Sequence, residues 1–172
     1  MPQRALIVSD MLNDFADEKG TLYFESAREI IPFVKDRIED FRNTGDPVIY
    51  LQDSHSEDDK EFEKFPKHAV EGTWGSEVLP ALAPRQGDVV IQKKRYSGFF
   101  ETELADVLKE HNIRHVELVG VCTSICIMDT VGGLANRDYH VTVPRAGVAD
   151  FDPEFHEYAL KRMDKIYGAK IP

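Results

Sequence analysis

The chain's only two thiols, Cys122 and Cys126, stand with three residues between them in Gly120-Val-Cys-Thr-Ser-Ile-Cys126. The apolar run Val116-Glu-Leu-Val-Gly120 precedes them, and Ile125, Met128 and Leu134 follow at helical spacing, so the pair sits where a strand hands over to a helix. Unpaired N–H groups and the helix dipole gather there and favour an anion. A cysteine in that place is expected to have its pKa lowered from about 8.5, giving thiolate at neutral pH. The same N–H groups could hold an oxyanion. The alternative is a thiol that merely fills an apolar gap; the C-x-x-C form of a redox pair is absent. Asp10 and Lys93 offer what such a thiol needs: a carboxylate to take its proton and hand it on, and an ammonium to stabilise the thiolate. A third feature is Asp53-x-His55 with a later His68. Two imidazoles and a carboxylate suit Zn²⁺, Mn²⁺ or Fe²⁺ and leave a position open for water or substrate. Glu57, Asp58, Asp59, Glu61 and Glu63 crowd the same stretch, and most of that run is expected to be a solvated charge cluster.

The elements that must carry these residues alternate between short apolar runs and helical periods. Strands are expected at Arg4–Ser9, Val48–Leu51, Asp88–Gln92, Val116–Gly120 and Val141–Val143, with Ala169–Ile171 as a short sixth. Between them, Ile30, Ile31, Val34, Ile38 and Phe41 predict a helix. Ser26 and Glu29 stand as a capping box before it, Pro32 suits its first turn, and it stops near Gly45. Residues 53–75 read as a long functional loop, with a short helix over 76–82. Leu104, Val107 and Leu108 mark a helix capped by Thr102, and Asp152-Pro153 starts another that ends at Gly168. This alternation predicts a single-domain, three-layer, doubly wound α/β fold over residues 1–172, with a mostly parallel sheet of about six strands and helices on both faces. Ligands of such sheets bind beyond the carboxyl ends of the strands. The residues there are Asp10 after the first strand, Asp53 and His55 after the second, Lys93 and Lys94 after the third, and the cysteines after the fourth. Lys93 and Lys94 cannot both face one site, because side chains alternate along a strand.

Composition narrows the function classes. The 172 residues are 42% hydrophobic and 30% charged, with a formal net charge of −10. That balance suits a folded globular chain and repels phosphate backbones and anionic lipid, so no nucleic-acid or membrane partner is expected. The apolar run Ala5–Val8 is too short for a signal peptide, and the expected compartment is the reducing cytoplasm. No G-x-G-x-x-G or Walker loop is present.

Four segments, in order, resemble the cysteine hydrolases of the isochorismatase-like superfamily, and within it the nicotinamidases. They are Asp10-Met-Leu-Asn-Asp-Phe15, Asp53-Ser-His55 through Phe65-Pro-Lys-His68-Ala-Val-Glu-Gly-Thr73, Lys93-Lys-Arg-Tyr-Ser-Gly-Phe99 with Thr102-x-Leu104, and Gly120-Val-Cys-Thr-Ser-Ile-Cys126. The resemblance implies a triad of Asp10, Lys93 and Cys126, a cis peptide before Cys122, and an oxyanion hole from the backbone amides of Cys122 and Cys126. It implies one divalent metal, zinc before manganese or iron, on Asp53, His55, His68 and, in some members, a residue matching Glu61. Phe15, Phe65 and Tyr96 would line a flat substrate pocket. The chain departs from the family pattern at Ser124, where an Asp is usual, and at Lys67, where a proline is common. The implied activity is hydrolysis of nicotinamide to nicotinate and ammonia through a cysteine thioester, in a homo-oligomer. The rival readings are an amidase for carbamoyl or ureido substrates and a non-catalytic binding protein on the same fold.

Overall fold

The computed structural model describes residues 4–172. Its strands are β1 (Arg4–Ser9), β2 (Val48–Asp53), β3 (Val89–Lys93), β4 (His115–Val121), β5 (His140–Thr142) and β6 (Val148–Ala149). All pair in parallel in the order β3-β2-β1-β4-β5, with β6 beside the upper half of β4. The helices are α1 (Asn13–Ala16), α2 (Glu25–Glu29), α3 (Ile31–Thr44), α4 (Leu104–Glu110), α5 (Met128–Ala135) and α6 (Pro153–Lys165). The expected doubly wound α/β architecture is therefore the observed one.

The strands are apolar on both faces because both faces are covered. Leu6, Val8, Val48 and Tyr50 pack under Val34, Ile38 and Phe41 of α3. Ile7, Ile49, Ile91 and Leu118 point to the other face, under α4, α5 and α6. Among the described residues no helix is long and apolar enough to cross a membrane.

Four local expectations are corrected. The stretch 76–82 is not one helix but lies across two short 3-10 turns, Trp74–Ser76 and Pro80–Leu82, with Val78 bridged to Leu12 between them. Ser26 and Glu29 do not form a capping box: Ser26 Oγ donates to the Asp150 carbonyl, and Glu29 ends α2. Pro32 has no N–H for the Arg28 carbonyl, so the chain breaks at Ile30 and restarts as α3 with Pro32 in its first turn. Thr102 is not the N-cap of α4; Glu103 is, and Thr102 Oγ turns to the Gly98 carbonyl. The sixth strand is not Ala169–Ile171, which contributes only a bridge from Lys170 to Thr142. β5 covers only His115–Glu117 of the seven-residue β4, and Val148–Ala149 pairs with the Gly120–Val121 edge left open.

The exits of β1 and β4 lie side by side at the switch point of the sheet, where Ser9 pairs with Gly120. Both chains leave in unusual conformations. Asp10 has φ +55° and Gly120 φ +119°, and Val121–Cys122 is a cis peptide. A Cβ on Gly120 would stand 2.0 Å from the Ser9 carbonyl oxygen, which is backbone and has nowhere to go. Gly87, at φ +99°, has nothing within 4 Å of its notional Cβ. The two glycines therefore separate backbone conformation from crowding. Gly87→Ala is expected to cost about 1–2 kcal/mol. Gly120→Ala should cost about 3–5 kcal/mol, since overpacking adds to the conformational cost. Urea unfolding of the two variants checks this, and equal losses would contradict it.

Candidate active site

Lys93 closes β3 and points into the molecule; its side chain is completely buried. Its ammonium lies 3.1 Å from Asp10 Oδ2, 2.5 Å from Asp53 Oδ1 and 3.4 Å from Cys126 Sγ, and it donates to the Arg95 carbonyl at 3.0 Å. Asp10, Asp53 and Cys126 each bring a ligand-type atom within 4.8 Å of the others. Asp10 is fixed by three further bonds. Its own N–H donates to the Leu51 carbonyl, Oδ1 accepts from Asp53 N–H at 2.8 Å, and Oδ2 accepts from the Ser9 hydroxyl. Lys94 points to the other side, as alternation requires; it is exposed, with Nζ on the Ser54 carbonyl and Ser56 hydroxyl. The residues expected to form a triad are thus brought together, and the neighbouring lysine is not among them.

The protonation states follow from burial and from Lys93. Burial alone would strip the Lys93 proton, but Asp10, Asp53 and Cys126 outweigh it and hold the ammonium charged. Burial raises Asp53, yet Lys93 and His55 pull it below the ordinary carboxylate range. Asp10 goes the other way: burial and the neighbouring Asp53 charge raise it more than Lys93 lowers it. The expectation of a lowered cysteine pKa is corrected. Burial pushes Cys126 well up, and the pull of Lys93 does not offset burial together with Asp10 and Asp53. The resting Cys126 is a thiol beside a carboxylate of raised basicity.

β4 delivers both cysteines. A single π-turn, Thr123–Ile127, follows Cys122 and runs into α5, so Cys126 lies within the first turns of the helical segment. The carbonyl of Cys122 accepts from Ile125 and Ile127 N–H. Asp150, directly after β6, takes the Ser124 N–H at 2.8 Å, and Thr123 Oγ meets His156 Nδ1 of α6 at 2.8 Å. Nothing in the strand pattern announces the Asp150 contact, because β6 is too short to be legible as a strand.

The 53–75 segment folds back on itself. His55 N–H donates to the Ala69 carbonyl and Glu71 N–H to the His55 carbonyl, a parallel bridge that sets His68 beside His55. Asp14 Oδ2 takes the Ala69 N–H at 2.7 Å and ties this pair to α1. Ligand-type atoms of Asp53, His55 and His68 lie within 4.8 Å of one another. Glu61 Oε2 is 3.2 Å from Nε2 of both histidines. Both Nδ1 atoms are spoken for, His55 by Asp59 Oδ2 at 3.1 Å and His68 by the Pro66 carbonyl at 2.7 Å. In its neutral form, with Nδ1–H donated, each imidazole turns an Nε2 lone pair inward. His55 Nε2 and Glu61 Oε1 are buried without any hydrogen bond. Two imidazoles beside carboxylates are a donor set for a divalent cation, so these residues fit the metal that the sequence resemblance implies. The acidic run divides accordingly: Glu57, Asp58 and Glu63 are solvated, while the Asp59 and Glu61 side chains are turned inward. Most of the run is solvated, as expected, and Asp59 and Glu61 are the exceptions.

A cavity of about 360 Å³ joins the two clusters. Asp10, Cys126 and Cys122 border it on one side and Asp53, Glu61 and His68 on another. Phe15, Phe65 and Tyr96 form walls as expected, and Leu22, Tyr23, Phe24, Ile125 and Phe151 complete them. The Phe24 and Phe151 rings meet edge to face at 6.4 Å. No Arg or Lys is among the described residues that line it.

The isochorismatase domain model matches residues 4–171. The structure is similar to that of a nicotinamidase from Bacillus subtilis, 35% identical, covering 98% of this chain and 98% of that one, with a TM-score of 0.93. It is similar to N-carbamoylsarcosine amidase from Thermoplasma acidophilum at 35% identity, with coverage of 99% and 95% and a TM-score of 0.90. A pyrazinamidase of Pyrococcus horikoshii, solved in complex with zinc, is 32% identical with 99% of both chains covered and a TM-score of 0.93. A probable inactive nicotinamidase of Arabidopsis thaliana is 32% identical over 98% of this chain and 91% of its own length.

Two outcomes follow from this geometry. Lys93→Ala leaves two carboxylates buried without their cation and is expected to cost about 3–5 kcal/mol, and to move the alkylation of Cys126 to still higher pH. Lys94→Ala should stay within about 0.5 kcal/mol of the parent with the same alkylation profile. Denaturant unfolding and iodoacetamide rates against pH read both; the reverse pattern would mean the register is wrong by one residue. The second outcome concerns protons. Burial lowers the His55 pKa, but Asp53 and Glu61 lift it to about 10 in the metal-free protein. A raised histidine stabilises fully below its unfolded value near 6.5, and the contribution is lost as pH rises through about 10. Zinc must displace that proton, so its affinity should rise with pH between 7 and 10, and calorimetry at pH 7 in buffers of different ionisation enthalpy should detect proton release. Release of no proton would contradict the assignment.

Proposed function

The chain belongs to the isochorismatase family of hydrolases, and from that premise we propose that it is a nicotinamidase-type amidohydrolase. The observation that carries this reading is that one aromatic-walled cavity is bordered both by Cys126 and by the Asp53, His68 and Glu61 part of the metal-type cluster. A neutral, flat amide with a ring nitrogen uses both. The described residues that line the cavity include no Arg or Lys to pair with the carboxylate of an N-carbamoyl acid. Asp53, His55, His68 and Glu61 would hold one divalent ion, zinc by its preference for imidazole and carboxylate donors, and when bound it supplies a Lewis-acid position for the ring nitrogen.

The protein's own residues then act in order. Asp10, whose raised pKa makes it the stronger base of the two buried aspartates, takes the Cys126 proton as Sγ attacks the carboxamide carbon. Lys93 stabilises the thiolate and stays charged throughout. The oxyanion rests on the backbone amides of Cys122 and Cys126. Asp10 gives the proton to the departing nitrogen, the C–N bond breaks, and ammonia leaves behind a thioester. Asp10 next takes a proton from water, hydroxide attacks the thioester, the C–S bond breaks, and the proton returns to Cys126.

Ammonia release in the presence of zinc tests the reading. Nicotinamide should be turned over with kcat/KM at least about 100-fold above benzamide, which has the same shape and no ring nitrogen to bind. N-carbamoylsarcosine should give no release, and Cys126→Ala none with any substrate. Preference for N-carbamoylsarcosine would move the protein to the carbamoyl amidases. Silence with the whole panel would favour a non-catalytic protein, as the Arabidopsis relative's description suggests for that chain.

A further inference from the structure

We infer that Asp59, braced by Arg95, is a positioning residue that locks His55 into its ligating tautomer and sets the approach of Glu61. This rests on the reading that Asp53, His55, His68 and Glu61 hold a divalent ion. The Asp59 side chain is only 5% exposed although five of its sequence neighbours are charged and the loop is polar. Oδ2 stands 3.1 Å from His55 Nδ1, and Oδ1 accepts the Glu61 N–H at 2.8 Å. One carboxylate thus touches two of the four ligating residues, on the side away from their donor atoms.

A neutral imidazole has one N–H. With that N–H on Nδ1 and aimed at Asp59, the lone pair is on Nε2, which faces Asp53 and Glu61. His68 is oriented by the Pro66 carbonyl, a neutral acceptor. Asp59 brings a full negative charge and makes the His55 ring a stronger donor. It does not become a ligand itself, because both oxygens are committed. Arg95 Nη1 lies 3.0 Å from each of them, in addition to the His55 and Glu61 contacts. Arg95 is also tied to the other half of the site, since its carbonyl accepts from Lys93 Nζ. The β3 exit therefore holds the ammonium of Lys93 through its backbone and the Asp59–His55 pair through the next-but-one side chain.

The test is zinc affinity of the chelator-stripped full-length protein, measured by competition with a chromophoric chelator and paired with thermal melts of the metal-free variants. Asp59→Ala is expected to weaken zinc binding by about 10–100-fold. Asp59→Asn should weaken it less, because the amide oxygen can still accept from Nδ1–H but carries no charge, and the metal-free melts show how much of any loss comes from the fold rather than from the ligand's orientation. Arg95→Ala should weaken zinc in the parent background and add nothing in the Asp59→Ala background, since it acts through Asp59. Parental zinc affinity in both Asp59 variants overturns the inference, as does an Arg95→Ala loss that is fully additive. Failure of the parent itself to take up zinc would instead sink the metal reading, and this inference with it.

Discussion

A charged lysine with no access to water sets the terms for the rest of this molecule. Removing an ammonium from solvent costs several kcal/mol unless it is closely paired. Lys93 meets that condition with two carboxylates, a thiol and a carbonyl. The partners come from the ends of four parallel strands, so the pairing demands that β1, β2, β3 and β4 finish in register. Because Asp53 offers Oδ1 to Lys93 and Oδ2 toward His55, the same ammonium joins the thiol side of the cavity to the metal-type cluster.

Backbone geometry at the strand exits serves this pairing. Asp10 turns through a left-handed conformation that an aspartate tolerates better than most side chains, and its carboxylate then reaches both Lys93 and the Asp53 amide. Gly120 lets β4 pass against Ser9 at a distance no side chain would permit. Beyond it, the N–H of Ser124 is held by Asp150 and the hydroxyl of Thr123 by His156, so β6 and α6 steady the turn that carries Cys126. On the metal side, Asp14 plays the corresponding part by anchoring the amide next to His68.

Much of this was readable in the chain because the signals were local. Apolar runs bounded by polar residues located five strands, and a strand's two-residue alternation separated Lys93 from Lys94. The principle that ligands gather beyond strand ends brought Asp10, Asp53, Lys93 and the cysteines to one rim. What escaped depended on contacts between distant segments. Val148–Ala149 is too short to show a period and is a strand only because β4 has an unpaired edge. Asp59 looks like its solvated neighbours in the sequence, and its inward turn rests on His55 and Glu61 together with Arg95, 36 positions on. The direction of the Cys126 pKa differs from the sequence expectation because a helix start and a nearby lysine are visible in sequence, whereas burial beside two carboxylates is not.

At rest the buried cluster holds a charged Lys93, a bare Asp53 and a Cys126 that is still a thiol. Neutron diffraction from deuterated crystals of the metal-free protein at pH 7 would read it directly. Three deuterons are expected on Lys93 Nζ, none on either oxygen of Asp53, and one on Cys126 Sγ. A neutral Lys93 amine, or a deuteron on Asp53 beside a bare Cys126 sulfur, would contradict it.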